Sequence, residues 1–207
     1  MSMAVQGLLL AISAPSGAGK TSLVRALTER DPALSVSVSH TTRPRRPTER
    51  EGVNYHFISR DRFLKMAAEG GFLEHAVVFG HHYGTSLEQV RRERAAGRDL
   101  ILEIDWQGAA QVRRSAPETI SIFVAPPSRE ALRQRLTARG EDAMETIERR
   151  LREARVEMSH YGDYEYLVVN DEFDATLEDL AAIVRAERLK RTVQSDRRRS
   201  LINDLLS

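Results

Sequence analysis

The glycine-rich segment near the N-terminus carries the clearest chemistry in the sequence. Residues 14–21 read APSGAGKT and match the pattern G-x-x-x-x-G-K-[ST], with alanine at the first glycine position. In such a loop backbone N–H groups surround phosphate oxygens, the lysine reaches the outer phosphates, and the final hydroxyl can bind Mg²⁺. The segment therefore predicts a site for nucleotide phosphates. Its residues are Ala14, Pro15, Ser16, Gly17, Ala18, Gly19, Lys20 and Thr21.

A carboxylate that shares the metal is expected at the end of a neighbouring buried strand. The run Leu100–Asp105 predicts such a strand, and Asp105 lies at its end beside the turn Trp106–Gly108. Asp105 is therefore a candidate Mg²⁺ ligand together with Thr21, either directly or through a water molecule. A carboxylate at this position also suits the cap of a following helix, and the two roles are compatible.

Three arginines crowd a second segment, which prolines stiffen. Arg43, Arg45 and Arg46 lie within seven residues that begin at Thr41 and end at Pro47. Like charges at this density repel one another unless an anion lies among them. A second phosphate-bearing ligand would explain the cluster. The alternative is a solvated basic loop, since runs of charge are common surface features.

Short apolar runs alternate with helical patterns, and these elements must position the candidate residues. Leu8–Ser13, ahead of the phosphate loop, predicts a buried strand, and Lys20–Arg30 predicts a helix after it. The alternation predicts an α/β fold of the P-loop NTPase type, with a mainly parallel sheet flanked by helices. The other predicted strands are Leu34–His40, Phe72–Phe79, Leu100–Asp105, Thr119–Ala125 and Tyr164–Asn170. The other predicted helices are Ser59–Glu69 and Ser86–Ala96.

Two stretches interrupt this alternation. The first, about Thr41–Gly84, contains prolines, glycines and the strand-like run Tyr55–Phe57, and the second, Ser128 to about Gly162, is a highly charged helical pair. We expect both to be insertions, at 41–85 and 128–162, on a nucleotide-binding core. Insertions beside a site are candidates for moving parts. The core would consist of residues 1–40, 86–127 and 163–207.

Composition limits the class of protein and its partners. The 207 residues suit one compact domain, and 31 basic against 30 acidic residues leave a formal net charge of +1. This balance disfavours a nucleic-acid partner, and the absence of cysteine excludes disulfides, thiolate nucleophiles and cysteine-bound metals. No apolar run approaches the roughly 20 residues that a membrane span needs. We therefore expect a cytoplasmic protein without a membrane partner; its oligomeric state does not follow from the sequence.

A longer series of motifs resembles guanylate kinase, in that family's order and spacing, from about Leu8 to about Val193. The resemblance implies transfer of the γ-phosphoryl group of ATP to GMP, with Mg²⁺ as cofactor, as a step of purine nucleotide metabolism. GMP and, more weakly, dGMP would be the acceptors. The motifs are Ser39–Arg43 followed by Arg46, Glu49, Gly52, Tyr55 and Phe57, and then Gly71–Glu74, Tyr83–Thr85, Ile104–Gly108 and Ala125–Ser128.

The resemblance also implies roles in the acceptor site, which the insertion 41–85 would provide. A carboxylate suits guanine because N1–H and the 2-amino group are adjacent donors, a pair that adenine lacks. The residues that would hold the GMP phosphate are Arg43, Arg46, Tyr55 and Tyr83. Those that would line the guanine are Ser39, Glu74 and Thr85, with Asp105 also in the GMP site.

On the donor side, the resemblance implies that the insertion 128–162 forms a lid over ATP. Arg135, Arg139 and Arg150 would close on the transferring phosphoryl group and act in catalysis together with Lys20. Phosphoryl transfer needs in-line positioning and cationic stabilisation of charge, so no general base is required. Asn170, at the end of the last predicted strand, would lie on the adenine side.

Two alternative functions remain open at this stage. Domains that resemble guanylate kinase also occur as catalytically silent protein-binding modules, but such a module has no need of Lys20 or of the lid arginines. A related P-loop kinase could instead act on a phosphorylated ribose. The presence of Glu74 and Thr85, which suit a base, argues against that acceptor.

Overall fold

The computed structural model describes residues 6–78, 80–138 and 144–207. Within them the strands of the main sheet are separated by helices, as the sequence predicts. The strands are β1 Leu9–Ser13, β2 Leu34–Val36, β3 His40–Thr41, β4 His56–Phe57, β5 Phe72–Val78, β6 His81–Ser86, β7 Asp99–Glu103, β8 Ile120–Ala125 and β9 Tyr166–Val169. The helices are α1 Lys20–Arg30, α2 Arg60–Ala68, α3 Leu87–Ala95, α4 Trp106–Ser115, α5 Arg129–Thr137, α6 Met144–Met158, α7 Phe173–Leu189, α8 Arg191–Arg197 and α9 Arg199–Leu206.

The main sheet is fully parallel and has the strand order β2-β7-β1-β8-β9. Every residue of the central strand β1 is buried, because helices cover both faces. Leu10 and Ile12 face α1 and α7, while Leu9 and Ala11 face α3 and α4. The predicted α/β class with a helix-flanked parallel sheet is therefore confirmed.

A second, four-stranded sheet lies within the stretch that interrupts the main alternation. Its strand order is β4-β3-β6-β5, in which β3 and β4 are parallel and the other pairs are antiparallel. Phe63 of α2 stacks on Phe72 of β5, with ring centroids 4.5 Å apart, and Phe63 is fully buried. This aromatic pair provides an apolar anchor between α2 and the sheet.

The prediction of a single strand over Leu34–His40 is wrong. Residues Leu34–Val36 pair with β7 in the main sheet, whereas His40–Thr41 pair with β6 in the second sheet. Between them the Ser37 N–H still donates to the Ile101 carbonyl. The sequence LSVSVSH alternates apolar and polar residues without interruption, so its pattern contains no sign that the chain changes sheets.

The charged helical pair of the second interruption is α5 and α6, as predicted. The two helices pack through their own apolar cluster, separate from the clusters on the main sheet. No helix in the described ranges is long and apolar enough to cross a membrane. The cluster consists of Leu132, Leu136, Ile147, Leu151 and Ala154.

Asp99, at the start of β7, is a buried junction between the sheet and the C-terminal helices. Its side chain is 2% exposed, and it accepts hydrogen bonds from the Leu8 N–H at 2.7 Å, Arg188 Nε at 2.6 Å and Arg197 Nη2 at 2.7 Å. Arg188 also pairs with Asp31 after α1. One carboxylate thus connects the entry to β1 with α7 and α8.

We expect Asp99→Ala to lower the free energy of unfolding by about 3 kcal/mol, because it removes one of the two carboxylates that hold partly buried Arg188 and leaves the Leu8 N–H without its partner. Urea denaturation measures this change. Glu178→Ala is the control, since it removes only the exposed pair with Arg30 and should barely shift the midpoint. Equal losses in the two variants would contradict this account of Asp99.

Candidate active site

The phosphate loop joins the end of β1 to the start of α1. Gly17 and Gly19 have φ values of 94° and 96°, in the left-handed region that glycine enters without steric cost. A Cβ atom on Gly17 would also lie 3.0 Å from carbons of Leu132 and of Leu136 in α5. Both glycines are therefore needed by the backbone, and Gly17 also by the close approach of a helix.

Lys20 and Thr21 extend from the first turn of α1 toward the end of β7. The Lys20 Nζ donates to the Ile104 carbonyl at 3.1 Å, and the Thr21 hydroxyl donates to Glu103 Oε2 at 3.0 Å. Parallel pairing of Ile12 with Glu103 brings the two strand ends to one edge of the sheet. The phosphate loop and the carboxylates Glu103 and Asp105 at the end of β7 therefore lie at the same edge of the sheet.

Asp105 caps helix α4, which is the structural role that the sequence left open for it. Its Oδ1 accepts from the Gly108 N–H at 2.9 Å, and its Oδ2 accepts from Gln107 Nε2 at 3.0 Å. Asp105 also lines a cavity that the phosphate loop borders. The predicted metal and GMP roles of Asp105 stay predictions, and a proposed role must share the carboxylate with the helix cap.

A largely buried ion pair holds Arg43, the first of the clustered arginines. Arg43 and Glu49 form a bidentate pair at 2.6 and 3.1 Å, with side chains only 15% and 12% exposed. The hydrogen bond from Arg43 lowers the pKa of the Glu49 carboxyl. Glu49 also accepts from the Arg46 N–H at 2.8 Å. The arginine segment is thus organised around an internal carboxylate.

Two tyrosines lie next to this segment. The rings of Tyr55 and Tyr83 meet edge to face, with centroids 5.8 Å apart, and the Arg43 guanidinium lies 5.5 Å from the Tyr55 centroid. Burial raises the pKa of the Tyr55 phenol, so it remains a neutral hydroxyl. The structure therefore brings Arg43, Arg46, Tyr55 and Tyr83 to one side of the cavity.

Glu74 occupies the deep end of the same cavity, on β5. Glu74 is only 4% exposed, and its Oε1 accepts a hydrogen bond from the Thr85 hydroxyl at 2.6 Å. Burial raises the pKa of the Glu74 carboxyl to about 7; the hydrogen bond from Thr85 opposes this shift, and the nearby Asp105 charge adds to it. Thr85 is itself fully buried, so it contacts Glu74 and does not line the cavity.

The helical pair α5 and α6 touches the phosphate loop directly. Arg135 donates to the Asn170 carbonyl at 3.0 Å and to the Ala18 carbonyl at 3.5 Å. Arg150 donates to the Ser16 hydroxyl at 2.9 Å, while the Ser16 N–H donates to Glu157 at 3.1 Å. The structure therefore places Arg135 and Arg150 against the phosphate loop.

Two predicted donor-side residues, Asn170 and Ala18, do not line the cavity. The Asn170 amide is buried and donates to the Ala18 carbonyl at 2.7 Å, so in this structure it supports the loop from beneath. Ala18 is fully buried and likewise lies outside the cavity lining. Arg139 lies outside the described residues, and its predicted catalytic role stays a prediction.

One cavity of about 380 Å³ contains both halves of the predicted site. Its wall includes the loop cation, the arginine segment and several carboxylates, so it can accept phosphates near the cations and hydrogen-bond donors near the acids. The loop residues in the wall are Ala14, Pro15, Ser16, Gly17, Gly19, Lys20 and Thr21. The predicted acceptor-site residues in the wall are Ser39, Arg43, Arg46, Tyr55, Glu74, Tyr83 and Asp105.

Three carboxylates in this cavity were not identified as site residues from the sequence: Glu49, which was only one of the motif residues, Glu103 and Glu157. Glu103 accepts from the Thr21 hydroxyl, and its only sequence signal is a position two residues before Asp105 on the same predicted strand. Glu157 accepts from the Ser16 N–H across 141 residues of sequence, and burial raises the pKa of its carboxyl. No local pattern in α6 distinguishes Glu157 from the other acidic residues of that helix.

Comparison with known proteins agrees with this geometry. The family model for guanylate kinase matches residues 6–187. A guanylate kinase of Alkalilimnicola ehrlichii is 58% identical over 200 residues, which cover 97% of this chain and 98% of that protein. A guanylate kinase of Hahella chejuensis is 58% identical over 202 residues, which cover 98% of this chain and 97% of that protein.

A solved structure supports the same assignment. The crystal structure of guanylate kinase from Anaplasma phagocytophilum matches with a TM-score of 0.76 and 35% sequence identity. The match covers 90% of this chain and 89% of that one. The resemblance inferred from the sequence motifs is confirmed, and the chain belongs to the guanylate kinase family.

Proposed function

We propose that this protein is an active guanylate kinase, which transfers the γ-phosphoryl group of ATP to GMP and yields ADP and GDP. The observation that carries the proposal is the single cavity in which the phosphate loop with Lys20 faces Arg43, Arg46 and buried Glu74. Donor and acceptor must share one site because the reacting oxygen and phosphorus come within contact distance. Residues 41–85 would bind GMP, and 128–162 would form the lid on the remaining core.

The acceptor phosphate would bind between the arginine segment and the two tyrosines. Arg43 keeps its bidentate pair with Glu49, so its orientation is already set before a phosphate arrives. Arg46 lines the cavity and adds a second guanidinium. Planar guanidinium groups match phosphate oxygens in geometry and remain charged at any physiological pH. The hydroxyl groups of Tyr55 and Tyr83 would add two neutral donors.

The base would be recognised at the Glu74 end. An ionised carboxylate accepts hydrogen bonds, and guanine presents N1–H and the 2-amino group side by side. Glu74 is buried and fixed by Thr85, so a base without this donor pair would leave the carboxylate unsatisfied. A mismatch of this type can reduce turnover by ~10⁴-fold. Ser39, in the same wall, would contact another edge of the base.

The donor side would work by charge and position. Lys20, next to the loop, would contact the outer phosphates of ATP and the transferring group. Arg135 and Arg150 contact the loop, and closure of the lid would bring these cations to the γ-phosphoryl group. Arg139 would join them. A closed lid also excludes water and so suppresses hydrolysis of ATP.

The carboxylates Glu103 and Asp105 at the end of β7 fit Mg²⁺, the cofactor expected with ATP. Thr21 and Glu103 present hard oxygen ligands 3.0 Å apart, and Asp105 follows on the same strand end. Mg²⁺ in nucleotide sites commonly uses one or two protein oxygens together with phosphates and waters. Thr21, Glu103 and Asp105 would hold the ion, Asp105 through water. When bound, the ion neutralises charge on the β- and γ-phosphates.

The two alternative functions have less support. A silent protein-binding module would not need Lys20 beside the loop, nor two lid arginines hydrogen-bonded to it. A kinase that acts on a phosphorylated ribose would not need a carboxylate buried at the far end of the acceptor cavity. Glu74 and its partner Thr85 therefore favour a nucleobase as the group recognised.

An acceptor panel tests the proposed reaction. With ATP and Mg²⁺, we expect GMP to be phosphorylated, dGMP more weakly because it lacks one ribose hydroxyl, and AMP, CMP and UMP at rates lower by about 10³-fold or more. A coupled assay of ADP formation measures each rate. Equal turnover of GMP and AMP, or none with GMP, would contradict the proposal.

Lys20→Ala should separate the donor site from the acceptor site. We expect kcat to fall by about 10²-fold or more, because the lysine stabilises charge on the transferring group. The Kd of GMP, measured by calorimetry, should stay within about twofold. Lys65→Ala is the control, since that lysine is exposed on α2 and away from the cavity. A parallel loss of GMP affinity in Lys20→Ala would refute the assignment of the two halves.

Recognition of GMP should weaken in acid. The pKa of Glu74 is raised to about 7, so below that pH the free enzyme holds a protonated carboxyl that has lost one acceptor. We expect kcat/KM for GMP to be level above about pH 7 and to fall toward tenfold per pH unit below it.

Glu74→Gln provides the control for this pH profile, because its amide does not titrate. The variant should lose the inflection near pH 7 and retain only the one near pH ~6 from the GMP phosphate. An unchanged inflection in Glu74→Gln would show that another group is responsible.

A further inference from the structure

A glycine lies in the first turn of α4 without a conformational reason for being there. Gly108 is the third residue of Trp106–Ser115, and it is not among the glycines with positive φ. Alanine is the better helix former at such a position. The backbone of this turn therefore does not require glycine, and the reason must lie in what surrounds the Cα atom.

The space beside Gly108 is filled by the carboxylate of Glu74. A Cβ atom on Gly108 would lie 2.6 Å from Glu74 Oε2 and 3.2 Å from its carboxyl carbon. It would also lie 3.2 Å from the Cβ atom of Ile104. Real carbon atoms do not approach an oxygen at 2.6 Å, so one of the two partners would have to move.

The carboxylate is the partner that would move. The start of α4 is held by the Asp105 cap on the Gly108 N–H, and Gln111 of the same helix exchanges two hydrogen bonds with the backbone of His75, next to Glu74. The end of a side chain shifts more easily than a helix fixed at two points. Thr85 holds the other carboxylate oxygen, so a shift would weaken that bond as well.

We infer that Gly108 is a specificity-determining residue: its missing side chain sets where the Glu74 carboxylate stands. This inference rests on the proposed role of Glu74 in binding guanine. Gly108 acts through Glu74 and is thus a positioning residue. Two parallel hydrogen bonds to N1–H and the 2-amino group tolerate little displacement, because such bonds weaken steeply with distance and angle.

The test compares GMP with IMP, which keeps N1–H but lacks the 2-amino group. In Gly108→Ala we expect KM for GMP to rise about tenfold or more and the GMP-to-IMP ratio of kcat/KM to fall, with KM for ATP within about twofold. Arg114→Ala is the matched control, because Arg114 is exposed in the last turn of the same helix and does not line the cavity. An unchanged ratio and GMP KM in Gly108→Ala overturn the inference.

A double-mutant cycle shows whether Glu74 transmits the effect. In a Glu74→Ala background, Gly108→Ala should no longer change the GMP-to-IMP ratio, and it should lower the melting temperature less than it does in the wild-type background, because only the contact with Ile104 remains. Additive effects on the ratio, or an equal loss of melting temperature in both backgrounds, would overturn the inference. If Gly108→Ala alone fails to fold, folding of the double variant supports the clash, and its failure refutes it.

These outcomes are distinguishable from failure of the proposed function. A wild-type protein that does not prefer GMP to AMP and IMP refutes the proposed function, whatever the variants do. A wild-type protein with that preference, together with a Gly108→Ala variant that keeps it, refutes only the role of Gly108.

Discussion

The parallel pairing of β1 with β7 is the constraint on which the site depends. Parallel neighbours end at the same edge of a sheet, so their pairing alone brings together the loop after β1 and the carboxylates Glu103 and Asp105 at the end of β7. The Lys20 ammonium then reaches the Ile104 carbonyl, and the Thr21 hydroxyl reaches Glu103. A slip of one residue in this register would turn Ile12 and Glu103 to the wrong faces.

Helix α4 extends this geometry from the main sheet to the second one. Its first turn is capped by Asp105 at the edge of the main sheet, its apolar side packs there through Ala109 and Val112, and Gln111 bonds the backbone of His75 in β5. One helix is therefore shared by the strand that ends at the phosphate site and the strand that carries Glu74. The distance between the phosphate loop and Glu74 is therefore set by a helix instead of a flexible segment.

The sequence predicts those parts of this arrangement that depend on a local pattern of residues. The phosphate loop is one, because Gly17 and Gly19 mark a backbone conformation that few other residues adopt. The sequence does not decide between Glu103 and Asp105 as the carboxylate beside the loop, because strand ends are uncertain by one or two residues and both residues are acidic. The change of sheet after Val36 left no break in the alternation of apolar residues. Glu157 is brought to the loop only by the tertiary packing of α6.

The Ser16 N–H of the phosphate loop already donates to Glu157, so a nucleotide would compete with this carboxylate for the donor. A single N–H group serves one strong acceptor at a time, so a phosphate oxygen that takes this donor displaces the carboxylate. Association of a nucleotide through that donor is then an exchange of one anion for another. The affinity observed is the difference between two contacts, and it is smaller than the strength of the phosphate contact alone. Because Glu157 belongs to α6, the same exchange would remove one of the contacts between that helix and the phosphate loop.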